Sequence, residues 1–334
     1  MNWYLQRGKD SDVVVNCKIM FSRNLRNHRF NTRSLPEIQE IENEVKSKLQ
    51  GIGYNLKFIK IKDLDELTKR SMVEKGLIDE TSIKNENTSI LINDDENICI
   101  VLNSQDHIEI QVFNAGMELE STFNLAKEID NEIDKIFDIA KSKKYGYLTS
   151  SPLDVGTGLK AEVTIHLPGL TMTGNMRKVA IAMNNLGVSF SSKYINGQEN
   201  IGDIYKMKNK QTLGISEDTI IKNLKAISEK MIEQERAARS ILGKNQIELE
   251  DMVYRNFGTL VNARKLRWQE AIKLMSNVKM GVDMGVIKEL SDNDIVKIYF
   301  YINPANLQKY FSQNLDGYDR DIKRGEMIRN IVKK

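Results

Sequence analysis

The hydrophobic positions of this chain change period several times, and each change marks an element. Over residues 36–49 the apolar residues fall at Ile38, Ile41, Val45 and Leu49, the spacing of one helical face. Over residues 89–113 the runs SILI, ICIVLN and HIEIQVF are separated by NDDEN and SQD, which predicts three strands in an antiparallel meander. A helical period returns over residues 121–142, carried by Phe123, Leu125, Ile129, Ile133, Ile136 and Ile139. Residues 161–167 read as a strand that Pro168 stops, and residues 176–186 as a helix. Ser216 can cap a helix, with Glu217 and Asp218 at the positive end of its dipole. Ile220, Ile221, Leu224, Ile227 and Met231 give that helix a buried stripe, and it runs to Leu242 with Gly243 as its stop. Ser291 with Asp294 resembles a capping box, and Asn303-Pro304 opens another helix. The first ninety residues mix helix-like segments with polar loops, whereas everything after Ile247 is helical. A boundary near 245–255 follows, with a mixed α/β part over 1–250 and an all-helical part over 251–334.

Composition narrows the class. A chain of 334 residues, 40% hydrophobic and 28% charged, is of ordinary globular make-up, and its length favours two domains. No apolar run approaches the roughly 20 residues of a membrane span. The start, MNWYLQRGKDSD, lacks the apolar stretch of a secretory signal, so a cytoplasmic protein is expected, with no membrane partner. Cys17 and Cys99 are too few for a disulfide framework or a zinc set. A net charge of +3 without a basic block gives no reason to expect nucleic acid.

The candidate chemistry gathers around one loop. YGYLTSSPLDVGTGLKAEVTIHLPGL (145–170) leads small residues into Gly156-Thr157-Gly158 and then a strand, a shape that brings backbone close to a ligand. His28, His107 and His166 lack metal-ligand spacing, and no metal site is expected. Neither a P-loop nor a dinucleotide fingerprint is present. Ser151, His107 and Asp106 could be written as a triad, but Ser151 lacks the nucleophile-elbow context.

The same loop resembles the signature of the phosphagen kinase (ATP:guanido phosphotransferase) family. Further segments resemble its bacterial protein-arginine kinase (McsB) branch. They include DSDVVVNCKIMFSRNLRN (10–27), LNSQDHIEIQ (102–111), GDIYKMKNKQTLGISEDTII (202–221), EQERAARSILGKNQIELEDMVYRNFGTLVNARKL (233–266) and INPANLQKYF (302–311). The resemblance spans almost the whole chain in order. It implies an α+β fold, an antiparallel sheet flanked by helices, followed by an all-helical C-terminal domain. It also implies phosphoryl transfer from ATP to arginine, which needs carboxylates on the guanidinium and a cage of cations on the triphosphate.

Position by position, the resemblance gives a depleted site. The family's first carboxylate falls on Gln105 and a nucleotide-binding arginine on Glu109. The second carboxylate falls on Asn196, with Ser191 in place of an arginine. The reactive cysteine falls on Ser151, a histidine on Gly76, and two arginines on Lys18 and Met20. The arginine after the loop falls on Lys160, and Arg23 persists beside the phosphate pair. Lysine lacks the bidentate fork of arginine. Lys18, Lys160, Gly156, Thr157 and Gly158 are thus expected as a weak or vestigial nucleotide site, with no cofactor required. If Asp106, Asp154 or Glu199 replaced the lost acids, the alternative would be an active protein-arginine kinase using magnesium and ATP.

The helical part departs less from the family. Arg320-Asp321-Ile322-Lys323-Arg324 resembles an R-D-x-x-R motif that binds phosphoarginine. Two arginines four apart share a helix face and can fork onto one phosphate, with Asp321 on the guanidinium. Leu274, Met275, Met280, Met284 and Tyr299 are expected in the core or at a dimer face. The reading is a catalytically impaired homologue that reads phosphoarginine as an adaptor in protein quality control. The partners that the resemblance implies are phosphoarginine-bearing proteins, a Clp ATPase, a McsA-like activator or an active paralogue, and a second copy in a homodimer.

Overall fold

Residues 14–23, VVNCKIMFSR, form β1 (Val14–Arg23), the strand on which the fold is laid. The computed structural model describes residues 2–32, 34–49, 51–196 and 199–332, with backbone alone for Asn196 and Glu199. In chain order β1 is followed by α1 (Leu35–Leu49), β2 (Lys57–Lys60), α2 (Glu66–Lys75), α3 (Glu80–Lys84), β3 (Ser89–Ile92), β4 (Ile98–Leu102) and β5 (Ile108–Ala115). Then come α4 (Leu119–Ile136), β6 (Lys141–Ser142), β7 (Gly146–Tyr147), β8 (Leu159–His166), α5 (Pro168–Met172) and α6 (Met176–Asn185). After β9 (Val188–Ser192), β10 (Ile195–Asn196), β11 (Glu199–Asn200) and β12 (Ile204–Asn209), α7 (Glu217–Leu242) closes this part. The rest is α8 (Gln246–Asn262), α9 (Trp268–Asp283), α10 (Asp292–Tyr301), α11 (Pro304–Phe311) and α12 (Gly317–Val332).

Among the described residues the main sheet has eight strands in the order β2-β3-β4-β5-β1-β8-β12-β9, antiparallel at every junction. Period-two alternation sorts its side chains. Cys17, Ile19 and Phe21 of β1, Ile110 and Val112 of β5, and Ala161 and Val163 of β8 enter one core, under α1, α4 and α7. Burying each such side chain stabilises the fold by about 1.5–3 kcal/mol. On the opposite face Trp3, Met72, Leu77, Ile90, Cys99 and Phe113 make a second cluster over β3 and β4. That cluster stops at β5, and beyond it the same face of β1, β8 and β12 carries polar residues, among them Lys18, Glu162, Thr164, Lys206 and Lys208.

Several boundaries differ from the sequence expectation. The helix expected over 121–142 ends at Ile136, and Phe137 is extended. Asn24 and Arg26 cause this, because Arg26 N–H donates to the Asp138 carbonyl and Ala140 N–H donates to that of Asn24. Ile139 is buried by that bridge, not by a helix face. Gly243 ends α7 as expected, but with φ −65 and not in the left-handed region. β1 lies inside residues read as helix-like segments and polar loops. Asn16, Ser22 and Arg23 are polar yet buried, which breaks the hydrophobic alternation. The capping box of Ser291 with Asp294 and the Pro304 start of α11 are present.

The helical part has its own core of Leu249, Val253, Leu260, Met275, Met280 and Met327, which Ile201 joins from the sheet side. Met275 and Met280 are buried; Leu274 and Met284 pack against this core at its margin. Polar contacts tie the two parts. The Glu74 carboxylate accepts from the Ala305 and Asn306 N–H groups at the start of α11, at 2.7 and 2.8 Å. Lys279 donates to the Ser11 and Asp12 carbonyls, and Arg239 pairs with Asp283 at 3.5 Å. Among the described residues no helix is long and apolar enough to cross a membrane, and no His/Cys/Asp/Glu group is arranged to hold a metal ion.

Candidate functional site

The polar face of the sheet is where charge concentrates. Register puts Lys18 opposite Glu162 and Met20 opposite Lys160, and Glu162 opposite Lys208 on the other side. Glu162 is buried, and both Lys208 (2.8 Å) and Lys206 (3.2 Å) reach its carboxylate. Burial alone would raise its pKa, but Lys206, Lys208 and Lys18 outweigh burial and hold it down at about 2. Lys18 donates to the Gly76 carbonyl at 3.2 Å and lies 4.9 Å from the Phe113 ring centre. Burial brings its pKa down to about 8. Lys160 pairs with the buried Asp154 at 2.6 Å. Glu109, opposite Ser22 of β1, looks onto the same face, and burial raises its pKa. Four lysines therefore meet three carboxylates here. A triphosphate needs a surplus of cations, and this face nearly neutralises itself.

The glycine loop is held by protein, not poised over open space. Arg23 is fully buried and grips Asp130 with two bonds of 2.7 and 2.8 Å. Its other arm donates to the carbonyls of Ser22 and Thr157, and its guanidinium stacks 3.5 Å from the Tyr147 ring centre. A Cβ on Gly158 would come within 2.6 Å of that guanidinium, and one on Gly156 within 2.2 Å of the Thr212 carbonyl oxygen. Gly156 exchanges two backbone bonds with Tyr147, and Thr157 N–H donates to Thr212. The glycines are needed for this close packing. Arg23 is thereby a buried anchor of the loop.

On the acceptor side, Gln105 sits exposed at the tip of a turn closed by Asn103 N–H donating to the His107 carbonyl. The lining of the depression beside it includes the amides of Asn31, Asn85, Asn87 and Asn103. Asp106 is buried, and one of its oxygens accepts from Asn24 (2.6 Å) and from the Ser150 N–H (2.7 Å). The other oxygen has no partner. The triad written from sequence does not form. His107 Nδ1 accepts from the Leu25 N–H, so Nε2 carries the proton and donates to the Arg29 carbonyl. No lone pair is left to activate Ser151, and burial lowers the imidazole's pKa. Asp154 is engaged by Lys160. The side chains of Asn196 and Glu199 lie outside the described residues.

In the helical part, α12 carries Arg320, Asp321 and Arg324, but the two arginines differ. Arg324 is buried and donates to the carbonyls of Ile302 and Leu266 and to Asp321 Oδ1. A two-arginine fork on one phosphate would strip those carbonyls of their donor. Arg320 makes no side-chain hydrogen bond or ion pair among the described residues; Glu74 feels its field.

Glu162, Lys206 and Lys208 escape sequence reasoning. Their signal is the alternation in KAEVT and KMK, which becomes informative only once β8 and β12 are known to pair.

Comparison with known proteins gives two family matches. Residues 37–238 match the ATP:guanido phosphotransferase C-terminal catalytic domain, and residues 246–334 the protein-arginine kinase McsB C-terminal domain. The protein-arginine kinase of Halothermothrix orenii is 38% identical, over 98% of this chain and 95% of its own length. That of Bacillus subtilis is 37% identical, over 98% and 92%. Among solved structures, lombricine kinase superposes with a TM-score of 0.61 at 18% identity, covering 70% of this chain and 69% of its own. A duplicated taurocyamine kinase from Schistosoma mansoni gives 0.61 at 18%, covering 78% of this chain and 38% of its own. These structural likenesses establish the fold.

Proposed function

This chain belongs to the ATP:guanido phosphotransferase family, in the protein-arginine kinase branch, and from that membership we propose a protein that reads phosphoarginine while transferring phosphate poorly or not at all. One observation carries the impaired half of the proposal. Three of the four lysines of the sheet face, Lys160, Lys206 and Lys208, are committed to Asp154 and Glu162, and Glu109 places a further carboxyl group there. A triphosphate entering there would have to displace Glu162 from Lys206 and Lys208. Loss of one preorganised donor costs about 10²–10³ in rate, and loss of a transition-state arginine about 10³–10⁵. Gln105 also offers an amide where a guanidinium wants a carboxylate. Weak nucleotide binding at Lys18 and Lys160 is compatible with this reading.

The binding half rests on α12. Arg320 would meet the phosphoryl group. Asp321, oriented by Arg324, would meet the guanidinium. Clients carrying phosphoarginine, a protease ATPase and a second copy of the chain are the partners this reading calls for.

A second reading is favoured by the relatives. Proteins named protein-arginine kinase match this chain over nearly its whole length, which supports ATP-dependent arginine phosphorylation here too. The unpartnered Asp106 oxygen beside Gln105 would then be the substitute acid. Incubation with magnesium and ATP, followed by mapping of phosphorylated arginines, separates the two. Transfer to arginine ends the first reading and leaves the second standing. Separately, free phosphoarginine should raise the melting temperature of the parent and not of Arg320→Ala. If the parent shows no rise, the reader role is wrong whatever the ATP result.

A further inference from the structure

The depression beside Gln105 has a volume of about 450 Å³ and is bounded by the turn over residues 103–107, by residues 31–32 and by the end of α3. That volume lies within the usual range of small-molecule sites, about 300–1,000 Å³. Its frame is held by side-chain bonds to backbone. Asn103 has a left-handed φ of 54, and its carbonyl accepts from Asn85 Nδ2 at 2.8 Å and from Thr88 Oγ1 at 3.3 Å. Asn85 Oδ1 accepts from the Asn87 N–H at 3.1 Å. Around this frame the side chains of Asn31, Lys84, Asn87, Ser104 and Gln105 make no hydrogen bond or ion pair among the described residues. They are also within reach of a ligand. Asn31, Lys84 and Gln105 are exposed, and the half-buried Asn87 and Ser104 keep their polar atoms open.

The one open charge in this lining is positive. Lys84 supplies it. Asp106 lines the space too, but it is 2% exposed and already accepts from Asn24 and the Ser150 N–H. His107 has both ring nitrogens bonded to backbone. Of the carboxylates nearby, Asp79 caps α3, Glu80 pairs with Arg70, and Glu37 accepts from the Arg29 N–H and from Thr32. Glu86 does not line the space. A guanidinium entering here would give up water, meet an ammonium and find no open carboxylate. A ureido group has the same planar outline without the charge. Its N–H groups can donate to the amide oxygens of Gln105 and Asn87, and its oxygen can accept from their N–H groups. A carboxylate on the same molecule answers Lys84.

We infer that this depression binds a carboxylate carrying a neutral ureido end, the chemistry of a citrulline side chain and its main-chain acid. The ureido end pairs with the free amides, Gln105 foremost, and the carboxylate with Lys84. The inference rests on the reading above in which Gln105 gives arginine no grip, and it names what that amide grips instead.

Nα-acetyl-citrulline and Nα-acetyl-arginine are the probes, because they share one shape and differ by a neutral oxygen against a charged nitrogen. Titration calorimetry of the full chain at neutral pH should show acetyl-citrulline binding saturably, about 3–10-fold tighter than acetyl-arginine. Lys84→Met should weaken acetyl-citrulline about 2–5-fold, and Gln105→Glu should reverse the order in favour of acetyl-arginine. Both side chains are exposed and unpartnered, so both variants should melt with the parent. Nα-acetyl-norvaline, which has the carboxylate without the ureido group, should bind more weakly than acetyl-citrulline. No saturable binding of acetyl-citrulline, equal binding of acetyl-norvaline, or a parent that prefers acetyl-arginine overturns the inference. If acetyl-arginine is preferred but magnesium and ATP give no transfer to arginine, this inference alone fails. If transfer also occurs, the impaired reading fails with it. The phosphoarginine test at Arg320 reads a different part of the chain and is untouched by either result.

Discussion

Replacing Glu162 by glutamine tests the charge logic of the sheet face in one step. The substitution keeps the side-chain shape and removes the charge that Lys18, Lys206 and Lys208 share. The carboxyl's pKa falls from an ordinary 4.5 to about 2 in the fold. Each tenfold change in proton affinity is about 1.4 kcal/mol, so the cluster contributes roughly 3 kcal/mol at neutral pH. Because the folded-state pKa is the lower one, that contribution is complete above the unfolded value. It then drains away as the pH falls from 4.5 towards 2. Urea unfolding at neutral pH should show the variant less stable by about 2–3 kcal/mol, and at pH 3 the gap should have roughly halved. The same variant frees lysines, so its affinity for ATP should rise above that of the parent. Equal stability at neutral pH, or a gap that stays constant through the acid range, would refute the account of Glu162 as the neutralising centre.

Other expectations follow from single contacts. Gly156→Ala should lose about 2 kcal/mol or more, since its Cβ would meet the Thr212 carbonyl at a φ of +117; thermal melting and faster amide exchange at Tyr147 and Thr157 would report it. For Lys18, whose pKa is lowered to about 8, the folded state is penalised while the amine is charged. The parent should therefore gain stability relative to Lys18→Met as pH rises from about 8 to 10.5, and urea midpoints that run parallel over this range would contradict it. Arg324→Ala should cost roughly 3 kcal/mol or more by orphaning two carbonyls, whereas Arg320→Ala should stay within about 0.5 kcal/mol; chemical denaturation of both variants distinguishes an anchor from a ligand-facing arginine.

Some of this protein was legible in its residues taken in order. The meander over residues 89–113, the helix begun by Ser216 and the all-helical end depend on periodicity and capping, which act between near neighbours. The family resemblance likewise follows from ordered motifs, and it predicted the sheet-and-helix architecture that the eight-stranded sheet displays. The resemblance assigns Gln105 and Glu109 to family positions because Asp106-His107 and Ile110-Gln111 flank them. What the residues in order could not reveal is how charges far apart in the chain meet. Glu162 and Lys206 become partners only through the β8–β12 ladder, and Arg23 becomes an anchor only when Asp130 and Thr157 fold around it. The lone pair of His107 is taken by the N–H of Leu25, a contact that no residue spacing reveals. Periodicity is a local property of the backbone. Electrostatic compensation and cavity chemistry depend instead on distances that only the packed chain defines, and for that reason the tertiary structure decided the state of the site.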